Sequence, residues 1–181
     1  MIKSLVIGLG NPILTDDGVG IYTARVVRAV LPSTANVDIT ELAVGGLALM
    51  EAMIGYEQVI LIDALYAMPD EQVGQVVVFD GGDLPDTLNS ANTHDVNLPT
   101  ALKVGERLGA KLPEIKNIQI VAIRAADVLT FGENPNPEVA AAIPLAAAYV
   151  LKMLNYPADT PLPHYKQLNG GYDDLTVSDG R

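Results

Sequence analysis

The chain has 181 residues, 49% of them hydrophobic and 18% charged, a balance that fits one globular domain with a sizeable core and not a disordered chain. Its formal charge of -11, with the Lys and Arg scattered and no basic patch among them, argues against nucleic acid or an anionic membrane as partner. With no cysteine, disulfides, thiolate zinc sites and a Cys nucleophile are all excluded, which fits a reducing cytoplasm.

The N-terminus carries one Lys and a short apolar run before its first glycine, too little for a secretory signal. Residues 3–8 are nearly all apolar and predict a strand covered on both faces, as in a parallel sheet. Residues 18–31 predict a helix: Val19, Tyr22, Val26 and Val30 share a face, Arg25 and Arg28 point away, and Pro32 follows the stop. Residues 36–41 alternate and read as a strand, and 46–54 as a short helix ending before Gly55. Residues 58–62 and 75–80 are two further strands, and 81–93 is a polar loop without a clear period. Leu98, Ala101, Leu102, Gly105 and Leu108 then recur at helical spacing, with Asn97 as the expected N-cap and Pro99 in the first turn. A strand at 117–123 and a helix at 137–154, kinked at Pro144, complete the set. That last helix is Ala-rich and holds a proline and a lysine, so it reads as a core helix and not a membrane span.

The order β-α-β-α-β-β-α-β-α predicts an α/β three-layer sandwich, a mostly parallel open sheet flanked by helices. Residues 1–155 form a single domain on this reading, and 156–181 a loosely attached extension rich in proline, glycine and aspartate. No internal repeat is visible.

Open parallel sheets bind ligands beyond the carboxyl ends of their strands, and three features fall there. The first is the loop GLGNPILTDDGVG after the opening strand. Gly8 and Gly10 begin a G-x-G-x-x-G pattern, but Ile13 stands where the third glycine belongs, and Asp16 and Asp17 would repel a phosphate. One aspartate is explained as a cap on the positive end of the helix; two are not. The second is Asp63 in VILIDAL, a carboxylate behind a buried strand that is costly unless paired, either with a backbone N–H or with something else. The third is His94 in NTHDVNLP, one of two histidines, in the polar run before a helix; a lone loop histidine is more often a plain surface residue. Two carboxylates and an imidazole converging from three elements suit a borderline divalent metal with open positions, or a general base held by a second carboxylate. The chain has no H-E-x-x-H, no G-x-S-x-G and no P-loop lysine.

Taken in order, GLGNPILTDDGVG, IDA with Asp63 and THD with His94 resemble the nickel–iron hydrogenase maturation endopeptidases, over about residues 2–154. The resemblance implies a cytoplasmic peptidase that removes a short C-terminal extension from the large-subunit precursor of a nickel–iron hydrogenase once nickel has been inserted. It implies that Asp17, Asp63 and His94 contact nickel, a metal carried by the substrate and coordinated transiently, and that Asp16 is the neighbour to test if Asp17 fails. Whether metal-bound water or a carboxylate acting as base attacks the peptide stays open. There are departures: ELAVGGLALME, with Glu41, Gly45 and Gly46, stands where many members have an Asp before a Gly-Thr or Gly-Gly-Thr turn. Two other functions remain to be weighed. Bacterial peptidyl-tRNA hydrolases share the GLGNP opening, but continue into a Thr-Arg-His-Asn run where this chain reads TDDGVG. A nickel- or precursor-binding chaperone without cleavage would keep the same three ligands.

Overall fold

The computed structural model describes residues 2–83, 98–157 and 160–168. The opening strand β1 (Ser4–Leu9) enters a loop and then helix α1 (Val19–Val30). Strand β2 (Val37–Leu42), helix α2 (Gly46–Ala52) and strand β3 (Gln58–Tyr66) follow, then strand β4 (Val76–Asp80). Helix α3 (Leu98–Arg107), strand β5 (Ile118–Ala125) and helix α4 (Pro137–Met153) close the set. The strands form one sheet in the order β2-β1-β3-β5-β4, parallel except for β4, which runs antiparallel on the edge of β5.

The period-two alternation of the buried strands distributes their side chains between two cores. Val6, Ile60, Ile62, Val121 and Ile123 face α1 and α4, where Val26, Val27, Ile143, Val150 and Leu151 meet them. Leu5, Ile7, Val59, Leu61, Ile118 and Ile120 face α2 and α3, against Leu49, Met50, Met53, Ala101 and Leu102. The three-layer α/β sandwich expected from the element order is therefore the fold. Two adjustments concern the elements themselves. Strand β3 continues four residues past the expected end, because β5 pairs with it through Tyr66 whereas β1 stops pairing at Ile62. Helix α4 runs continuously from Pro137 to Met153 with Pro144 inside it. The expected cap Asn97 lies outside the described residues.

The expected loose attachment of the C-terminal extension does not hold for residues 160–168. Tyr165, on a short helical turn (Tyr165–Gln167), is 6% exposed and joins the α1/α4 core together with Leu162 and Leu168. Its ring packs against that of Tyr22 with centroids 5.5 Å apart. An aromatic anchor of this size is sufficient to hold a proline-rich segment down.

Candidate active site

The sheet places its own crevice. From β1 the chain crosses to β2 on one side, and from β3 the sheet continues through β5 on the other. The carboxyl ends of β1 and β3 thus form the topological switch point, where open α/β sheets bind ligands. The loop after β1 and the last residues of β3 meet there.

Glycine makes that meeting possible. Gly10 has φ of 122°, in the left-handed region, and a side chain on it would strike the carbonyl of Asp17. A Cβ on Gly20 would lie 2.3 Å from the carbonyl oxygens of both Leu9 and Ile62. The first turn of α1 therefore rests directly on the ends of β1 and β3, and the residues just before it sit over the crevice.

The two aspartates of the loop have separate fates, and neither caps α1. The N-cap is Gly18, with no side-chain hydrogen bond. Asp16 is 0% exposed and turns away from the crevice. Its Oδ1 accepts from Asn136 N (2.6 Å), and its Oδ2 from Ala126 N, Asp127 N and Asn136 Nδ2 (each 2.9 Å). Asp17 is half-buried; its Oδ2 accepts from Asn11 N at 2.6 Å, and its other oxygen takes no hydrogen bond from the described residues. Burial pushes the Asp17 carboxyl above its usual value, against the opposing Asn11 hydrogen bond.

Asp63 is 1% exposed. It shares the strand parity of Val59 and Leu61 and so belongs to the α2/α3 side of the sheet. Its Oδ1 accepts from Ala64 N at 2.8 Å, while Oδ2 is buried with no partner among the described residues. Its carboxyl is raised to about 8: burial is the largest cause, the charge of Asp17 adds to it, and the Ala64 bond opposes. A buried carboxylate oxygen without a partner among the described residues is costly, and such groups concentrate at functional sites. The bland alternative, a bond to a backbone N–H, accounts for one oxygen only.

His94 lies outside the described residues. Helix α3, which begins four residues after it, packs on the α2/α3 side of the sheet, the side of Asp63. Among the described residues no three acidic or histidine side chains gather to hold a metal. Asp17 and Asp63 are brought together, and Asp16 is not one of that pair.

Three further residues do work that the sequence did not show. Tyr22 Oη donates to Pro12 O (3.0 Å) and Glu133 O (3.3 Å), joining the β1–α1 loop to the β5–α4 loop. Asn136 reaches Asp16 from α4's entry. Glu41, at the carboxyl end of β2, is occupied: Arg25 and Arg28 both bond it, each at 2.8 Å at closest. Burial alone would raise its carboxyl, but those two guanidinium groups outweigh it and hold it below its usual value. The spacing of Arg25 and Arg28 on α1 was visible as a solvent face; that a glutamate from the neighbouring strand would claim both was not.

The fold is an open α/β sandwich, and Asp17 and Asp63 come from the two elements that meet at its switch point, the candidate site. Residues 21–153 match the sequence profile of the hydrogenase maturation proteases, and the chain belongs to that family. The matched segment includes Asp63 and His94 and begins just after Asp17. Among solved structures, the chain is similar to the hydrogenase maturating endopeptidase HybD from E. coli, at 24% identity and a TM-score of 0.69, over 85% of this chain and 93% of that one. It is also similar to the [NiFe] hydrogenase maturation proteases HycI and HybD from Thermococcus kodakarensis. The first has 16% identity and a TM-score of 0.63, over 85% of this chain and 93% of that one. The second has 21% identity and a TM-score of 0.58, over 84% and 99%. At these identities the structures establish the shared fold, and the family rests on the profile. No curated protein sequence matches the chain. Family membership makes the protein a peptidase, and it removes the peptidyl-tRNA hydrolase reading that the GLGNP opening had allowed. No helix among the described residues is long and apolar enough to cross a membrane.

Proposed function

We propose that this peptidase removes the C-terminal extension of a nickel–iron hydrogenase large-subunit precursor in the cytoplasm, after nickel insertion, with the substrate's nickel as the signal for cleavage. The observation that carries the reading is the buried Oδ2 of Asp63, without a partner among the described residues and within reach of the Asp17 charge, at the sheet's switch point. A cation is the natural complement of two carboxylates of which one raises the other's proton affinity, and a phosphate is not. Asp17 and Asp63 supply oxygen ligands and His94 a nitrogen, a set compatible with nickel and weaker than a cluster of thiolates, which suits a transient contact.

In the free protein Asp63 holds a proton at neutral pH. A cation brought in by the substrate favours the ionised form, so Asp63 releases that proton to water as the precursor docks and meets the cation as a carboxylate. Precursor without nickel leaves the two carboxyl groups unmatched and the site idle.

The test is to incubate the protein with nickel-loaded and nickel-free cognate precursor and weigh the products. Loss of the extension from the loaded form alone is expected. Cleavage of neither form, or of both equally, overturns the proposal; capture of loaded precursor without cleavage identifies a chaperone instead. His94→Ala and Asp63→Asn are each expected to abolish cleavage in a folded protein.

A further inference from the structure

We propose that Asp16 is the positioning residue of this site: a buried strut that fixes the Asp17 loop by locking it to the loop before α4. The inference rests on the function proposed above and assigns a role to the aspartate that function leaves idle.

Two chain segments more than a hundred residues apart are joined here. Residues 10–18 leave β1 and enter α1, and residues 126–136 leave β5 and enter α4. Their backbones are zipped: Thr15 N donates to Thr130 O, Asp16 N to Asp127 O, and Gly132 N to Ile13 O. Backbone pairing of this kind between surface loops is weak without an anchor. Asp16 supplies the anchor. Its carboxylate takes four N–H donors, three of them from backbone amides of 126–136, in a position with no exposure to water. A carboxylate is an acceptor only, with about four lone-pair sites, and here four N–H donors engage it, three on Oδ2 and one on Oδ1. Held on both oxygens and away from water, the side chain is fixed in place and difficult to replace.

The same residue controls α1. Val19 N, the first amide of the helix, donates to the Asp16 carbonyl at 3.0 Å. Asp16 is thus held by its side chain to one loop and by its main chain to the helix, and Asp17 follows it directly. The place of Asp17, whose charge Asp63 senses, is inherited from this fixed residue together with the Asn11 hydrogen bond. A displacement of about 1 Å in a reacting group costs on the order of a hundredfold in rate, so a loosened strut reads out as lost turnover.

The experiment compares wild type with Asp16→Asn, whose amide would confront N–H donors with N–H donors, and with the milder Asn136→Ala, which removes one of the four bonds. Two quantities are measured below the unfolding transition of each variant. They are the kcat and KM of nickel-loaded precursor cleavage, and the hydrogen exchange of peptides covering 10–18 and 126–136. Asp16→Asn is expected to accelerate exchange in both segments together, leave β1 and β3 protected, and lower kcat about a hundredfold with KM changed only a few-fold. Asn136→Ala is expected to do both in smaller measure and serves if Asp16→Asn does not fold. Faster exchange with unchanged kcat overturns the proposal, because the strut would then be structural only. Lost kcat with unchanged exchange also overturns it, because Asp16 would then act directly. Failure of the wild type to cleave loaded precursor is the separate result that fells the function itself.

Discussion

The negative charge of Asp17 reaches Asp63 across the end of the sheet. Burial is the larger cause of the raised Asp63 carboxyl, at about 8, and Asp17 adds to it against the opposing Ala64 hydrogen bond. The two groups come from different elements, the β1–α1 loop and strand β3, and neither would be perturbed this way in an extended chain. Perturbed pairs of this kind concentrate at functional sites, because stability is sacrificed there.

Asp63 therefore weakens the fold in a definite pH window. Its folded value near 8 lies above the ordinary 3.8, so the native state retains a proton that the unfolded chain has released. Stability falls as pH rises from about 4 to about 8 and is unaffected by Asp63 below that range. Asp63→Asn removes the slope. Denaturant titrations are expected to show it more stable than wild type at pH 7 by on the order of 4 kcal/mol, and equal to wild type near pH 3.5. Equal slopes for the two proteins would show that the carboxyl is not buried as described. The same variant loses cleavage, so stability and activity move in opposite directions.

Removing the neighbouring charge isolates the second contribution. In Asp17→Asn the repulsion on Asp63 is gone, and burial alone remains to raise it. The midpoint of the Asp63-linked stability loss is expected to move to lower pH, measured by the same titrations at closely spaced pH values. No movement would mean the two carboxylates do not sense each other.

Glu41 has the opposite sign. Its carboxyl is held below the usual value by Arg25 and Arg28, so the stabilisation is present above about pH 4.5 and lost as pH falls through the depressed value. Glu41→Gln is expected to cost about 1 kcal/mol at pH 7 and progressively less as pH falls through the depressed value, by chemical denaturation. Cleavage by Glu41→Gln separates an ion-paired strut from a substrate contact: a structural role leaves KM unchanged.

Periodicity made the layers legible. Apolar runs at 58–62 and 117–123, and the spacing of Val19, Tyr22 and Val26, placed the buried strands and α1 before any coordinates. Asp63 and the paired Asp16 and Asp17 were also visible, as charges where a buried strand or a phosphate loop should carry none. Sequence alone could not divide labour between the two adjacent aspartates, because their fates depend on donors more than a hundred residues away at Ala126, Asp127 and Asn136. The expectation that one of them caps α1 failed for the same reason: long-range N–H groups and the turn at Asn11 outcompeted the helix terminus for their oxygens. The C-terminal segment misled because its proline content resembles a linker, while a single aromatic residue decides whether it docks.

That docking gives the last prediction. Tyr165 packs on Tyr22, and Tyr22 in turn bonds both loops of the site through Pro12 O and Glu133 O. Residues 160–168 lie beyond the segment matched to the family, and they support the Tyr22 side of the crevice. Tyr165→Ala deletes a ring that is 6% exposed and is expected to cost about 3 kcal/mol, seen as a melting temperature lower by roughly 6–12 °C. Tyr165→Phe keeps the ring and should lose far less. Truncation after residue 157 should match Tyr165→Ala, since the ring is the main anchor. Tyr22→Phe keeps the packing and removes only the two hydroxyl bonds, so it should cost about 1 kcal/mol and loosen residues 126–136 in hydrogen exchange. If truncation leaves the melting temperature unchanged, the segment is not packed on α1, and the support it lends the site through Tyr22 disappears with it.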